Sequence, residues 1–368
     1  MKLTEQLQVF NGKRIFITGH TGFMGSWLSV WLNQLGAKVY GYGLPPPQGP
    51  TAYFLMDVKE LLAKETTADI RDPEPLSRAL RMAKPDVIFH LAAQPLAHES
   101  FAEPLDTFDV NVMGTATLLD AVRDLGKPCA VICLSSDTCY ELTAPDKAYT
   151  EEDPVGGSAP LSASKAAMEL LITSYRRSFF PTEKLKDHEI QLATIRTGNL
   201  IGGGDFSDEK VLVRLLDAVL VDQPLEVRNP NMIRPWQHVL EPLSGCLLLA
   251  AKMLSEPAAT WSCAWNFAPG QAAERPVRDL VNGFIQNWKS GDWIDAATEG
   301  HRHLAPMPRL NCEKAKKLLG WEPCWDFDTA VQKTVEWYKL FSLEGDPAPL
   351  TRKQIEEYVS QAENGARA

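Results

Sequence analysis

The sequence lacks any long apolar run, because its most hydrophobic segments are interrupted by charge or proline within about 15 residues. A membrane-spanning helix needs about 20 apolar residues, so the sequence predicts no membrane segment. The opening Met-Lys-Leu-Thr-Glu-Gln has no apolar signal core, and we therefore expect a cytoplasmic protein. The seven cysteines are odd in number and lack C-x-x-C spacing, which favours reduced thiols and predicts no metal site.

Positive charge is also scarce: 37 Lys and Arg face 47 Asp and Glu, which gives a net charge of −10. Nucleic-acid binding depends on basic side chains that neutralise phosphates, so this balance argues against a nucleic-acid partner. No internal repeat is evident. The length of 368 residues suits two domains, or one large domain with a smaller lobe.

Short apolar runs alternate with helical patterns through the first half of the chain. The runs are Arg14–Thr18, Lys38–Tyr42, Asp86–Leu91 and Ala130–Leu134. They are apolar throughout rather than alternating, as is typical of strands buried on both faces of a parallel sheet. The order of strand and helix therefore predicts an α/β fold, a Rossmann-type doubly wound parallel sheet.

The regular alternation ends near residue 200, where Gly202-Gly203-Gly204-Asp205 begins an irregular stretch. We predict a Rossmann domain over 1–200, to which part of 235–270 returns, a smaller C-terminal substrate-binding lobe mainly over 201–345, and a polar C-terminal tail over 346–368.

A glycine pattern, Gly19-x-x-Gly22-x-x-Gly25, lies between the first strand and the following helix. Glycines here allow a tight turn and a close approach to a pyrophosphate, which the helix N-terminus stabilises. The pattern predicts a dinucleotide site formed by Gly19, Thr21, Gly22, Phe23, Met24 and Gly25.

Two other strand ends add candidate cofactor residues. Asp69 and Ile70 follow a third predicted strand, where a carboxylate can accept a hydrogen bond from an adenine amino group; a turn-capping aspartate is the alternative. The small residues of Leu91-Ala92-Ala93-Gln94 leave room for a ribose and a nicotinamide. After the second strand, Tyr42-Gly43-Leu44 offers neither an acid for NAD nor a base for a 2′-phosphate, so this strand does not decide between NAD and NADP.

These motifs resemble the extended short-chain dehydrogenase/reductase family, and more narrowly its CDP-glucose 4,6-dehydratases. The resemblance extends over roughly residues 10–340. Its most specific stretches are Thr18–Phe23, His90–Pro95, Asn111–Thr115, Arg228–Gly245, Trp265–Phe267 and Leu318–Trp321.

The resemblance implies NAD as the cofactor, a CDP-hexose as the substrate, and oxidation at C4 followed by loss of water across C5–C6 and return of the hydride to C6. It adds Asn111 and Lys165 to the cofactor residues. It places Gln94, Ser136, Asn199, Arg228, Asn229 and Arg234 at the sugar nucleotide. It also implies a homodimer formed through the helix that carries Lys165 and the helix around 111–125, although apolar residues there also suit a buried core face.

The chain departs from the family at two positions that transfer protons. The family pattern Tyr-x-x-x-Lys reads Leu161-Ser162-Ala163-Ser164-Lys165 here, and leucine cannot carry a proton. The family pattern Ser-Asp-Lys reads Ser136-Asp137-Thr138, which keeps the candidate general acid and loses the lysine. The candidate catalytic residues are Ser135, Ser136, Asp137, Thr138 and Lys165.

Three interpretations therefore remain open. The first is an NAD-dependent dehydratase, a lyase, with an atypical active site. The second is a different reaction on a CDP-sugar, either an epimerisation or another elimination. The third is a catalytically inactive homologue that binds nucleotide sugars.

Overall fold

The computed structural model describes residues 2–144, 147–207, 210–297 and 308–365. Its strands are β1 (Arg14–Thr18), β2 (Lys38–Gly43), β3 (Leu62–Thr67), β4 (Val87–His90), β5 (Cys129–Leu134), β6 (Ala148–Tyr149), β7 (Ile190–Arg196), β8 (Leu200–Ile201), β9 (Leu225–Val227), β10 (Ile233–Pro235), β11 (Gln237–His238), β12 (Ala264–Asn266), β13 (Glu274–Pro276), β14 (Trp293–Asp295) and β15 (Arg309–Leu310). Its helices are α1 (Leu3–Leu7), α2 (Phe23–Gln34), α3 (Ala52–Leu55), α4 (Val58–Leu61), α5 (Pro73–Ala83), α6 (Ala97–Ala102), α7 (Pro104–Phe108), α8 (Gly114–Arg123), α9 (Pro160–Ser178), α10 (Leu185–His188), α11 (Val211–Leu220), α12 (Leu240–Ser255), α13 (Val277–Trp288), α14 (Glu313–Leu319), α15 (Phe327–Ser342) and α16 (Pro347–Gly365).

Seven parallel strands form the central sheet in the order β12-β7-β5-β4-β1-β2-β3. Parallel neighbours cannot be joined by tight turns, so helical crossovers connect them and cover both faces. The apolar runs of the sequence fall in β1, β2, β4 and β5. The predicted Rossmann-type doubly wound sheet is confirmed.

The core lies in two layers, one on each face of the sheet. Ile15 and Ile17 of β1 are fully buried in the layer that contains α2 and α12, whereas Phe16 is buried in the layer that contains α5 and α8. Both faces of β1 therefore face helices, which explains why the strand is apolar at every position rather than at every second one.

The strand order reverses between β1 and β4, which in open α/β sheets marks the crevice where ligands bind. The ends of the two strands are fixed together by Thr18 and His90, whose Oγ1 and Nδ1 atoms are 2.7 Å apart. His90 Nε2 lies 2.9 Å from Thr115 Oγ1 on α8, and burial lowers the pKa of His90 to about 3. A neutral, fully bonded histidine therefore supports the floor of this crevice.

After β7 the chain builds the second part of the molecule and then returns. β10 pairs antiparallel with β13, β11 pairs with β8, and β12 rejoins the sheet beside β7. The polar C-terminal segment contains helix α16, in which the buried Tyr358 donates to Glu241 Oε2 on α12 over 2.7 Å and meets the ring of Trp31 on α2. This helix therefore ties the end of the chain to the sheet domain. No helix in the described part of the chain is long and apolar enough to cross a membrane.

Candidate active site

The glycine loop is packed too tightly for side chains at its first and third glycines. Gly19 has a φ of +76°, and a Cβ there would lie 2.7 Å from the backbone nitrogen of Ala92. A Cβ at Gly25 would overlap the carbonyl oxygen of Gly19. Gly22 precedes α2, a helix of 12 residues whose first N–H groups have no acceptor within the helix. The loop therefore forms a backbone cradle that fits a dinucleotide pyrophosphate.

Two hydrogen bonds hold this loop against the end of β2. Gly19 N donates to Tyr42 O over 2.8 Å, and Thr21 Oγ1 donates to Leu44 O over 3.1 Å. Phe23 and Met24 form the first turn of α2, where their N–H groups belong to the cradle. All six residues predicted from the glycine pattern thus lie together at one edge of the sheet.

Asn111 joins the other predicted cofactor segments. It is buried in a π-helical turn (Asp109–Met113), a geometry that is frequent at functional sites. Its side chain accepts from Gln94 N over 2.8 Å and donates to Gln94 O over 3.1 Å. It also donates to Ser164 Oγ on α9 over 2.9 Å. The end of β4, with Leu91, Ala92 and Ala93, is therefore fixed to the helix that carries Lys165.

Asp69 forms a turn immediately beyond β3. Its Oδ1 accepts from Arg71 N over 2.9 Å, and its Oδ2 pairs with Arg71 Nη2 over 2.7 Å. The bonds from Arg71 lower the pKa of Asp69. Ile70 is buried against Gly114, where a Cβ would lie 2.6 Å from Ile70 Cγ2. The structure thus contains the turn-capping aspartate that the sequence left open, and the adenine contact stays a prediction.

Lys165 is buried on α9 with no ion-pair partner among the described residues. Its Nζ lies 3.5 Å from the carbonyl oxygen of Leu134, and burial lowers its pKa to about 8. Leu161 occupies the same helix face one turn earlier, and its carbonyl oxygen accepts from Ser164 Oγ over 2.7 Å. The position one helical turn before the lysine therefore carries no proton-transfer group.

Asp137 lies at the end of β5 among donors. It is 3% exposed; Ser136 Oγ donates to its Oδ1 over 3.1 Å, and Asn199 Nδ2 donates to its Oδ2 over 3.3 Å. Burial raises the pKa of Asp137 to about 6, against the opposing effects of Ser136, the backbone and the charge of Arg234. The carboxyl group can therefore hold a proton near neutral pH. Thr138 Oγ1 lies 2.9 Å from Ser136 Oγ and adds no titratable group.

Arg234, on β10, provides a cation close enough to influence Asp137. Its Nη1 is buried and has no hydrogen-bond partner among the described residues. Burial also lowers the pKa of Arg234. An unpaired guanidinium nitrogen is suited to an anion, above all to a phosphate.

The remaining predicted residues are Ser135, close to Asp137 in sequence, and Arg228 and Asn229, close to Arg234 in sequence. Ser135 is buried, and its backbone N–H donates to Ile195 O over 2.7 Å. Arg228 is exposed and Asn229 is half-buried, both in the segment between β9 and β10.

The sequence matches the family described as "NAD dependent epimerase/dehydratase family" over residues 15–263. It is 38% identical over 352 residues to the CDP-glucose 4,6-dehydratase of Salmonella typhimurium, a match that covers 95% of this chain and 97% of that protein. The chain belongs to the NAD dependent epimerase/dehydratase family. It is also 26% identical to the dTDP-glucose 4,6-dehydratase of Escherichia coli, with 88% of this chain and 93% of that protein covered.

Solved structures show the same fold. The dTDP-glucose 4,6-dehydratase from Bacillus anthracis, in complex with NAD, superposes with a TM-score of 0.73 at 21% identity and covers 91% of this chain and 99% of that chain. The UDP-glucose-4-epimerase from Stenotrophomonas maltophila, with bound NAD, superposes with a TM-score of 0.75 at 20% identity. The match covers 90% of this chain and 100% of that chain. The predicted family and NAD as its cofactor are confirmed, and the glycine cradle fits that cofactor.

Two groups of residues in this member of the family were missed by the sequence interpretation. One is a buried ion pair, in which Arg196 Nη2 on β7 lies 3.0 Å from Glu169 Oε2. Glu169 is one helical turn beyond Lys165 on α9, and Arg196 also donates to Tyr140 OH. The other is Glu65 on β3, which contacts His20 of the glycine loop. No local pattern marks either group, because each depends on strands and helices that are distant in sequence.

Proposed function

We propose that this chain is an NAD-dependent sugar-nucleotide enzyme of the 4,6-dehydratase type that takes a CDP-hexose and has an altered set of proton-transfer residues. The observation that carries the proposal is the position of Asp137, which lies beyond the end of β5, at the same end of the central sheet as the glycine cradle, and within range of the charge of Arg234. β5, which ends before Asp137, is the direct neighbour of β4, which ends before Gln94. A sugar held by Asp137 and Arg234 would therefore lie next to a cofactor held by the glycine cradle.

The choice of a cytidine nucleotide is supported by the Salmonella typhimurium relative, which is a CDP-glucose 4,6-dehydratase. Arg234 is the residue we assign to the diphosphate, because its unpaired Nη1 leaves the guanidinium free for a phosphate oxygen. We assign Gln94, Ser136 and Asn199 to the sugar, with Arg228 and Asn229 nearer the nucleoside.

The residues divide the chemical work unequally. When bound, NAD supplies the acceptor for a hydride from a sugar carbon. Asp137 can hold a proton and release it to a leaving hydroxyl, and Ser136 orients that carboxyl group. Lys165 would supply a cation for the nicotinamide ribose of bound NAD, but Leu161 gives it no phenol to activate. No dedicated base is therefore present to remove the hydroxyl proton at C4. Thr138 likewise cannot act as a base that removes the proton from C5.

This gap favours slow or absent dehydration of CDP-glucose over rapid turnover. The two alternatives share the cofactor and the ligand: an epimerisation or other elimination on a CDP-sugar, and a binding homologue without catalysis. The presence of leucine at position 161 and threonine at position 138 is the specific observation that keeps the binding homologue open.

Product analysis separates the three. Protein with NAD is incubated with CDP-, UDP-, GDP- and dTDP-hexoses, and products are resolved by mass and chromatography while binding is measured by calorimetry. Slow 4-keto-6-deoxy product from CDP-glucose supports the proposal, and an isomer of unchanged mass supports epimerisation. Tight binding of NAD and CDP-glucose without product supports the binding homologue. Failure to bind any sugar nucleotide contradicts the proposal.

We propose the domain division that the sequence suggests, with residues 1–200 and part of 235–270 holding NAD and 201–345 mainly holding the sugar nucleotide. The return of β12 to the central sheet supports it. The seven free cysteines support a reducing, cytoplasmic compartment.

We also propose a homodimer, because one side of the molecule exposes large apolar side chains. Leu105 on α7 is 85% exposed and Leu170 on α9 is 61% exposed, and these two helices pack against each other. Phe101 and Met113 are also exposed, and the elements that carry them contact α9. Sedimentation of Leu170→Glu tests this: we expect a monomer, whereas the control Leu343→Glu, at an exposed leucine beyond α15, should leave a dimer intact. A monomeric unmodified protein would contradict the proposal.

A further inference from the structure

The adenosine end of the cofactor site lacks its usual acid. In Rossmann folds a carboxylate after the second strand accepts hydrogen bonds from the ribose of NAD. Here β2 ends at Gly43, and the next residue, Leu44, is 58% exposed and cannot form such a bond. Another group must recognise the ribose hydroxyls if the cofactor is to be held by its ribose.

A carboxylate is present one strand further along the sheet. Glu65 on β3 lies opposite Gly41 on β2 in the parallel register. Gly41 has no side chain, and the imidazole of His20 occupies the space where its Cβ would be. Glu65 can therefore reach across β2 to the glycine loop, and its Oε1 lies 2.7 Å from His20 Nε2.

Both hydrogen bonds of Glu65 end on the same oxygen. Tyr53 OH, on α3, also donates to Oε1 over 2.7 Å. Within the described part of the chain, Oε2 receives no hydrogen bond, and the Glu65 side chain is 23% exposed. The carboxyl group is thus anchored through one oxygen and open through the other, at the level of the loop that cradles the pyrophosphate.

The charge of this group is fixed by its neighbours. Partial burial raises the pKa of Glu65, but the bonds from His20 and Tyr53 outweigh it and lower that pKa overall. Lys59 on α4 adds a smaller effect in the same direction. Glu65 is therefore a carboxylate at neutral pH, an acceptor for hydroxyls and a source of repulsion for phosphates.

We propose that Glu65 is the residue that recognises the adenosine ribose, and that it selects NAD over NADP by accepting from the ribose hydroxyls and repelling a 2′-phosphate. His20 and Tyr53 position it by holding Oε1. The inference rests on the cofactor site of the proposed function, and it does not depend on which reaction follows.

Cofactor binding tests the inference without turnover. Dissociation constants for NAD, NADP and 2′-deoxyadenosine NAD are measured by calorimetry for the unmodified protein, Glu65→Gln and the control Glu60→Gln on α4. We expect the unmodified protein to prefer NAD over NADP and to lose about 10-fold in affinity for the deoxy analogue. Glu65→Gln should bind NAD about 10-fold more weakly and show a reduced preference for NAD over NADP, while Glu60→Gln changes neither.

A purely structural role for Glu65 gives a different result. Loss of affinity for NAD and NADP by the same factor in Glu65→Gln would overturn the inference. Equal binding of NAD and the deoxy analogue by the unmodified protein would overturn it even if the variant does not fold. Tyr53→Phe, which removes one bond to Oε1 and leaves Oε2 untouched, should keep the preference for NAD. Failure of the proposed reaction would leave all of these constants unaffected.

Discussion

The cofactor edge of the molecule and the proton-transfer positions beside it differ in how they are built. At the cofactor edge, the glycine loop packs closely against the backbone, because a Cβ at Gly19 or Gly25 would meet main-chain atoms. At the proton-transfer positions, the chemistry depends on single side chains, Leu161 in the first turn of α9 and Thr138 in the turn beyond β5.

These two regions of the protein can therefore change independently. Removing a glycine from the loop disturbs the sheet, because the loop packs against the ends of β1 and β4. Leu161 lies in the first turn of α9, a regular helix in which Lys165 is buried. Cofactor binding at the glycine loop is therefore coupled to the fold more closely than are the side chains at positions 161 and 138.

Introducing a tyrosine at position 161 together with a lysine at position 138 should give the largest effect. In Leu161→Tyr/Thr138→Lys, the new phenol lies one helical turn before Lys165, whose cation favours the phenolate. We expect dehydration of CDP-glucose to rise by at least about 100-fold, the scale of general-base catalysis. The measurement is absorbance of the 4-keto product in alkali.

The matched control for this variant is Leu161→Phe/Thr138→Lys, which adds the ring without its hydroxyl. It should remain as slow as the unmodified protein. Equal rates for the tyrosine and phenylalanine variants would show that the cleft, rather than the missing hydroxyl, limits the reaction.

A change in the glycine loop tests the cofactor edge. Gly25→Ala places a Cβ against the Gly19 carbonyl, and the resulting strain should weaken NAD binding by up to about 100-fold, as overpacking costs about 1–3 kcal/mol. Calorimetry with NAD measures it. Gly270→Ala is the control, because Gly270 lies outside the loop and its Cβ would meet no atom within 4 Å. Similar losses in both variants would argue against a cradle fixed by backbone contacts.

Arg234 connects the two regions, because it binds ligand but is a single side chain. Arg234→Ala should weaken binding of CDP by about 10-fold, as a hydrogen bond to a charged group is lost, and leave NAD binding unchanged. Its neighbour in the β10–β13 register, Arg275, provides the control in Arg275→Ala. A larger loss of CDP affinity in the Arg275 variant would place the diphosphate elsewhere.

What the sequence could predict follows the same division. Strands β1, β2, β4 and β5 and the glycine loop were predictable, because apolar runs and glycine spacing are local patterns. The Glu65–His20 contact was not, since it depends on which residue of β3 lies opposite Gly41. The raised pKa of Asp137 was not predictable, because burial is a property of the folded chain.

The smallest expected effect concerns the pH dependence of ligand binding at Asp137. Its pKa of about 6 is already above the usual value, since burial disfavours the charged form. A bound diphosphate adds negative charge and engages Arg234, whose cation otherwise lowers this pKa, so the pKa should rise further in the complex. Binding then takes up a proton, and affinity for CDP should fall as pH rises through 6 to 7. A rise of half a pKa unit corresponds to a change of about 3-fold.

The diphosphate also titrates in this range, so the variant Asp137→Asn is needed to isolate the protein group. Dissociation constants for CDP measured between pH 5.5 and 7.5 in both proteins give the contribution of Asp137 as the difference of the two slopes. The asparagine variant should retain only the slope of the ligand. Identical slopes would mean that the pKa of Asp137 does not respond to the diphosphate. Asp137 would then have a structural role rather than a role in proton transfer.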